Sequence, residues 1–398
     1  MRHLIRNLLL SYRRRQQLPK YRALLGGIVS EQVSSPGYSE GALHNCIREL
    51  ESHRRPLGPV PHIAAFGAHH WERYGYWQSL GRLSRLETYD YSVKAAKLAG
   101  RYTSSAIRRE LARDFLDFIE QQERASAVQV AFFYADSQFI APELVSALTA
   151  KGIWTVLMGV DDKHRFQEQQ VGDLSTGQCT VAPHFDLYWT SWKVGVDLFL
   201  KIGANPWYAP LAADPVFHHP VRGSRSTDVV FVGQRYGRRE TLIDYLRGLG
   251  FSVKVFGRGW PEGVISHERT VELFSTSMAV LGLGDVGALA EVKHVKGRDF
   301  EVPMCGGLYI TTFNPELTDL FEIGKEILCY NSFEECAELL HWVRRHPQEA
   351  DDIRQAGLYR SLRDHTWEAR FAKILSILRG RPAGDQRDEC VAALKVHA

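Results

Sequence analysis

The sequence predicts an α/β protein built of two doubly wound parallel sheets in tandem. Three observations carry that expectation. From about residue 61, short apolar runs alternate with amphipathic helical stretches. Between Pro206 and Thr227, the prolines Pro210, Pro215 and Pro220 and the stretch Gly223-Ser224-Arg225-Ser226 break all periodicity. A second α/β register then starts at Asp228. A length of 398 residues suits two domains.

In the first register, Pro61 to Gly67 reads as a strand and is followed by the aromatic segment Trp71 to Trp77. A helical region, Ala106 to Glu123, precedes the strand Val128 to Tyr134. A helix through Leu144 and Leu148 leads to the strand Ile153 to Met158, which ends in Gly159-Val160-Asp161-Asp162. Leu187 to Thr190 is a further strand and Val196 to Lys201 a helix. In the second register, Asp228 to Gly233 is a strand, Arg239 to Leu249 a helix stopped by Gly250, and Phe251 to Gly257 a strand. Ser266 caps a helix over 268–275. Met278 to Leu283 is a strand, Arg298 to Cys305 a short helix closed by Gly306-Gly307, and Leu308 to Thr312 a strand. Residues 333–347, 349–362 and 367–379 are closing helices. The expected organisation is a basic arm and variable helical region over 1–60, a first domain over 61–222, a second over 228–380, and a tail over 381–398. The last helix is a candidate to pack back on the first domain.

The net charge of +3 is unevenly placed. Residues 1–30 carry +7, and the remaining chain has 42 basic against 46 acidic side chains, or −4. A slightly acidic body excludes nucleic acid as a partner, because that footprint is a basic patch on the folded domain. The six cysteines form no C-x-x-C pair and no Cys/His cluster, so they read as free thiols in a reducing compartment. No apolar run reaches the roughly 18–20 residues of a membrane span, and Arg13 to Arg15 cut off the best N-terminal run. The expectation is a cytoplasmic protein. Residues 1–25 mix Leu4, Ile5, Leu8, Leu9 and Leu24 with arginines. That pattern fits either an amphipathic helix making peripheral contact with an anionic membrane or a solvated helical arm packed on the body.

Two segments carry the chemistry, and tandem α/β domains imply a cleft where the carboxyl ends of both sheets face each other. Gly233 to Arg239 lies between a strand and a helix. Its glycines allow close backbone approach, and Arg235 and Arg238 supply fixed positive charge, which suits a diphosphate. It is neither a G-x-G-x-x-G fingerprint nor a Walker A loop. A solvated basic turn capping a helix is the equal alternative. The second segment, Lys293 to Gly307, sets Lys293, Lys296 and Arg298 ahead of a short helix that begins with Glu301 near its start. The cations can balance a pyrophosphate without a metal, and a carboxylate can accept hydrogen bonds from both ribose hydroxyls. An exposed basic turn with Glu301 as a first-turn helix acid is the alternative.

These segments resemble the C-terminal domain of GT-B glycosyltransferases, and most closely the spore-maturation-type (CgeB-like) family with a glycosyl-transferases-group-1 C-terminal domain. The resemblance rests on Val230-Phe231-Val232-Gly233 with Tyr236-Gly237-Arg238-Arg239, Phe256-Gly257-Arg258-Gly259-Trp260, Gly297-Arg298-Asp299-Phe300-Glu301-Val302-Pro303, and His365-Thr366-Trp367 with Arg370. Weaker likeness extends to Val156–Asp162 with Phe166, and to Phe185-Asp186-Leu187 leading to Gly203-Ala204. It implies two Rossmann-like domains facing across a cleft, a nucleotide diphosphate sugar as donor, and no cofactor or metal; the absence of any D-x-D triplet agrees. The implied donor-site residues are Gly233, Arg235, Arg238, Gly257, Lys293, Lys296, Arg298 and Glu301, with Glu301 at the ribose. One position departs from the pattern. Retaining enzymes of this fold often carry a second glutamate eight residues before the first, where this chain has Lys293.

The expected activity is transfer of a sugar to a cell-envelope, polysaccharide, lipid-linked or protein acceptor. A nucleotide-sugar epimerase and a non-catalytic nucleotide-sugar-binding protein are the alternatives. The acceptor hydroxyl must be either deprotonated by a base or held against the departing face. Candidates at carboxyl ends of first-domain strands are His70 with its neighbour His69, Asp136, and Asp161 with Asp162; an Asx turn is the competing role for the last pair. The aromatic cluster Trp71, Tyr74, Tyr76 and Trp77 is either a stacking platform for the acceptor or core packing.

Overall fold

The computed structural model describes Pro19 and residues 39–380, apart from 71–72, 160, 227 and 287–288. Pro19 apart, the basic arm over 1–25, with Trp71 and the tail, therefore lies outside the described residues. The chain divides into two units: residues 39–210 together with those from 367 onward, and residues 211–366 with Pro19.

In chain order the first unit holds β1 (His62–Gly67), β2 (Arg85–Asp90), β3 (Val130–Tyr134), β4 (Trp154–Met158), a small antiparallel hairpin of β5 (Gln169–Val171) and β6 (Leu174–Thr176), then β7 (Leu187–Thr190) and β8 (Pro206–Tyr208). The hairpin apart, they form one parallel sheet in the order β2-β1-β3-β4-β7-β8. β1, β3, β4 and β7 are buried at every residue, as in a parallel sheet covered on both faces. Their continuous apolar runs are why the sequence reveals them. β2 is a half-exposed edge strand of mixed polarity, Arg-Leu-Glu-Thr-Tyr-Asp, and carries no such run. β8 occupies the start of the expected linker; its proline stands first on the other edge, where a missing N–H costs little.

Aromatic rings fill this core. Phe66 stacks on Tyr91 at 4.8 Å and meets Phe115 edge-on at 5.2 Å. Tyr76 and Trp77, expected as part of a stacking platform or of the core, belong to the core: both are buried, and the Tyr76 hydroxyl reaches Met158 Sδ at 3.2 Å. The helix Trp367–Leu378 packs here, with Trp367 and Phe371 at 4.9 and 5.0 Å from Tyr76.

The second unit holds β9 (Val229–Val232), β10 (Val253–Phe256), β11 (Ala279–Leu281), an antiparallel hairpin of β12 (Asp285–Val286) and β13 (Leu289–Lys293), β14 (Tyr309–Thr312) and β15 (Leu328–Tyr330). Its parallel sheet runs β10-β9-β11-β14-β15. The helix Arg239–Gly248 buries Leu242, Ile243 and Leu246 against it. The Ser266 hydroxyl accepts from Arg269 N at 3.2 Å, capping the helix His267–Thr276 as its position predicts. Residues 211–222, expected with the first domain, cluster with this unit: Ala213 pairs with Thr366, and Val221 N donates to Ser275 Oγ at 3.0 Å.

Candidate functional site

In the second sheet, β9 has β10 on one side and β11 on the other. The chain winds in opposite directions from that point, and the loops leaving β9 and β11 flank the crevice where open α/β sheets take ligands. Gly233 closes β9. Its N–H donates to Phe256 O at 2.8 Å, and its carbonyl accepts from Trp260 Nε1 at 2.8 Å. Gly257 has φ +128°, and a Cβ there would stand 2.4 Å from the Gly233 carbonyl oxygen. Only glycine permits these two loops to touch.

Arg298 lies in this cradle. A Cβ on Gly233 would fall 3.0 Å from its Nη1, and its Cζ sits 5.7 Å from the Phe231 ring centroid. Its Nε is buried and has no protein partner. Arg239 packs on Phe231 as well, at 5.2 Å, and donates to Gln234 O at 2.6 Å and to the Tyr236 hydroxyl at 2.9 Å. Burial, with the Arg298 charge beside it, brings the Arg239 guanidinium down to about 10. Two like charges held this close favour an anion between or beside them.

The remaining expected cations are more committed. Arg238 Nε bonds Asp285 at 2.8 Å and Lys293 Nζ bonds the same carboxylate, which is almost wholly buried. Arg235 is tied to Glu240 and lies over the Trp260 ring at 5.6 Å. Lys296 contributes its backbone N–H to Asp299 at 2.7 Å, and its side chain is half-buried. Asp299 also accepts from the Tyr309 hydroxyl at 2.6 Å. Burial raises its carboxyl above the usual range, so it is the acid that organises the turn into the helix Arg298–Met304. Glu301, on the same helix, stays partly exposed. His218 Nε2 lies 4.0 Å from Glu301 Oε1, and its ring meets His267 edge-on at 5.0 Å. Burial holds His218 below the usual histidine range, hence neutral near pH 7, and its Nδ1 has no partner. Sequence reasoning missed His218 because it falls in a stretch read as linker.

In the first unit, β1 lies between β2 and β3; the candidate bases His69 and His70 follow β1, Asp136 follows β3, and Asp161 and Asp162 follow β4. His69 Nδ1 is 3.7 Å from Asp90 Oδ2 at the end of β2, while its Nε2 has no partner. Burial alone would raise Asp90, but hydrogen bonds from Ser92 N (2.9 Å) and Ser92 Oγ (2.6 Å), with the nearby His69, hold it below the usual carboxylate range. His70 is exposed. Asp136 is buried, caps Gln138 N at 3.1 Å and faces Arg165 at 3.6 Å. Asp161 is left-handed at φ 53° and half-exposed, 3.5 Å from His164.

Asp162 corrects the expectation of an accessible base. Its carboxylate has no exposure and accepts from the Tyr188 hydroxyl at 2.8 Å and Thr190 Oγ1 at 2.5 Å, and burial pushes it up to about 6. Gly159 passes so close that a Cβ would sit 2.3 Å from both Asp162 Oδ1 and the Tyr188 hydroxyl. These bonds join the ends of β4 and β7.

Among the described residues, no three His, Cys, Asp or Glu side chains gather where a metal ion could be held, and no helix is long and apolar enough to cross a membrane.

Residues 238–376 match a family model described as glycosyl transferase-like. A search of the curated proteins gives no match. Among solved structures, sucrose-phosphate synthase from Thermosynechococcus elongatus aligns at TM-score 0.54 and 11% identity, over 84% of this chain and all of that one. AviGT4, a glycosyltransferase involved in avilamycin A biosynthesis, aligns at 0.52 and 13%, over 80% and 97%. A putative UDP-N-acetylglucosamine 2-epimerase from Listeria monocytogenes aligns at 0.51 and 9%, over 80% and 96%. The fold is GT-B. Its two Rossmann-like sheets are the ones described above, and at such identities the likeness speaks for the GT-B fold alone.

Proposed function

We propose that the protein is a glycosyltransferase whose 211–366 unit binds a nucleotide diphosphate sugar and whose first unit binds the acceptor. The observation that carries the reading is Arg298, pinned against Gly233 and Phe231 at the switch of the second sheet with a buried, unpartnered Nε. The glycosyl transferase-like match over 238–376 includes Arg298, and the spore-maturation-type resemblance draws on Phe231, Gly233 and Arg298. Arg298 and Lys296 meet the diphosphate, and Glu301 accepts from the ribose hydroxyls. In transfer, the acceptor oxygen bonds the anomeric carbon and the carbon–oxygen bond to the diphosphate breaks, its electron pair leaving with the nucleotide. The acceptor proton passes to a base, a role assigned here to His69, whose Nδ1 lies 3.7 Å from Asp90 Oδ2, ahead of His70, Asp161 and the buried Asp162. Positive charge on Arg298 and Lys296 stabilises the leaving diphosphate, so the reaction as proposed runs without a metal.

The epimerase alternative would convert a nucleotide sugar with no acceptor. A panel of nucleotide sugars separates the two: the transferase releases free nucleoside diphosphate, and the epimerase releases an altered nucleotide sugar. For the ribose contact, calorimetry compares uridine diphosphate with its 2′,3′-dideoxy analogue, and the preference for the hydroxylated ligand should vanish in Glu301→Gln. Absence of binding by every nucleoside diphosphate, or a preference unchanged in Glu301→Gln, would overturn this assignment.

A further inference from the structure

The first unit contains a cavity of about 410 Å³ that none of the nucleotide chemistry uses. It opens at the carboxyl ends of β1, β2 and β3, where the first sheet changes winding direction. His70 follows β1, Tyr91 and Ser92 follow β2, and Gln138 and Phe139 follow β3. Such a position is where open α/β sheets hold ligands, and the volume lies within the range of small-molecule sites.

The lining combines apolar and polar side chains. Ala95, Ala96 and Ala99 offer no side-chain atoms beyond Cβ, and Ile107 adds a branched aliphatic wall. Tyr91 and Phe139 supply two rings with centroids 4.8 Å apart and planes tilted 37°. Polar groups complete the lining: His70, Ser92, Ser104 and Gln138. Ser92 is also the residue that hydrogen-bonds Asp90, which faces His69. The apolar surface thus adjoins the residue that hydrogen-bonds Asp90, whose carboxylate lies 3.7 Å from the histidine assigned as base.

We propose that this cavity receives a flat apolar ring carried by the acceptor, next to the hydroxyl that is glycosylated. Three alanines leave room for a ring, the partly exposed Phe139 ring, backed by the buried Tyr91, gives it a face to pack on, and the polar groups suit the hydroxyl-bearing part. The proposal rests on the glycosyl-transfer reading for calling the occupant an acceptor; the preference of the cavity for an apolar ring does not.

The test uses the full chain and two probes that differ only in the aglycone, 4-nitrophenyl β-D-glucopyranoside and methyl β-D-glucopyranoside. Calorimetry or saturation-transfer NMR should give at least tenfold tighter binding of the aryl glycoside. Ala96→Phe and Ala99→Leu, both at exposed positions, fill the cavity without entering the core and should remove that preference while leaving uridine diphosphate affinity unchanged. Equal binding of the two probes, or an aryl preference that survives both substitutions, overturns the proposal. Cavity-dependent aryl binding in a protein that binds no nucleoside diphosphate would support the cavity and refute the transferase reading. Nucleotide binding without aryl preference would do the reverse.

Discussion

Replacing Arg298 with alanine separates a binding role from a structural one. The guanidinium lies against Gly233 and 5.7 Å from the Phe231 centroid, with an unpartnered Nε. A hydrogen bond to a charged group contributes about 1.5–3 kcal/mol. At about 1.4 kcal/mol per tenfold change, losing one such bond to a diphosphate weakens uridine diphosphate binding by roughly ten- to a hundredfold. Stability should respond differently. Arg239, already lowered to about 10 by burial and by this neighbour, loses a like charge when Arg298 is removed. The forfeited cation–π contact is worth about 0.5–1 kcal/mol at a site of this kind, so the two effects offset. Calorimetry should therefore report weaker nucleotide binding while thermal unfolding stays within a few degrees of the parent. Arg298→Lys keeps the charge without the planar fork and should fall between. A large drop in melting temperature with unchanged nucleotide affinity would show Arg298 to be a packing residue and sink the donor-site assignment.

Asp162→Asn should leave transfer intact, whereas His69→Gln should abolish it; assay of released nucleoside diphosphate compares them, and the opposite ranking would return the base to Asp162. The same variant carries a stability signature. The native carboxyl titrates near 6 against an ordinary value of about 3.9, so between these values the folded chain holds a proton that the unfolded chain has lost. Stability should be highest near pH 4 and fall by up to about 3 kcal/mol as pH rises through 6, and urea unfolding should find that decline absent in Asp162→Asn. Gly257→Ala should destabilise the second unit by about 3 kcal/mol or more through backbone strain and the clash with the Gly233 carbonyl, read as a lower melting temperature together with lost nucleotide binding. An unaffected melting temperature would mean that the two loops do not touch in solution.

What could be read in advance follows from burial. β1, β3, β4 and β7 are largely apolar because both faces are covered, and a one-dimensional pattern exposes them. β2 is not, since its edge position lets the polar pair Glu87-Thr88 interrupt Leu86 and Tyr89. Asp90 at its end was therefore invisible as a partner of His69, although the two share one end of neighbouring strands. His218 was hidden for another reason: it meets Glu301 across 83 positions, and no local periodicity signals such a contact.

Charge runs mislead in a related way. The sequence offers Arg235, Arg238, Arg239, Lys293, Lys296 and Arg298 as six cations, and each looks available for phosphate. The fold returns Glu240 to Arg235 and Asp285 to both Arg238 and Lys293. Asp299 and Glu301 add two further carboxylates on the Arg298 helix. Six cations against four carboxylates leave +2 in this neighbourhood. A diphosphate ester in a nucleotide sugar carries about −2 near pH 7, so the site as folded comes close to neutral with donor bound. Asp285 is the control on that balance: by occupying Arg238 and Lys293 it keeps the free positive charge on Arg298 and Lys296. Asp285→Asn would release both cations, and the expected outcome is tighter binding of uridine diphosphate with slower turnover, because charge that holds the leaving group also holds the product. Weaker nucleotide binding in Asp285→Asn would show instead that its carboxylate orients Arg238 and Lys293 toward the ligand.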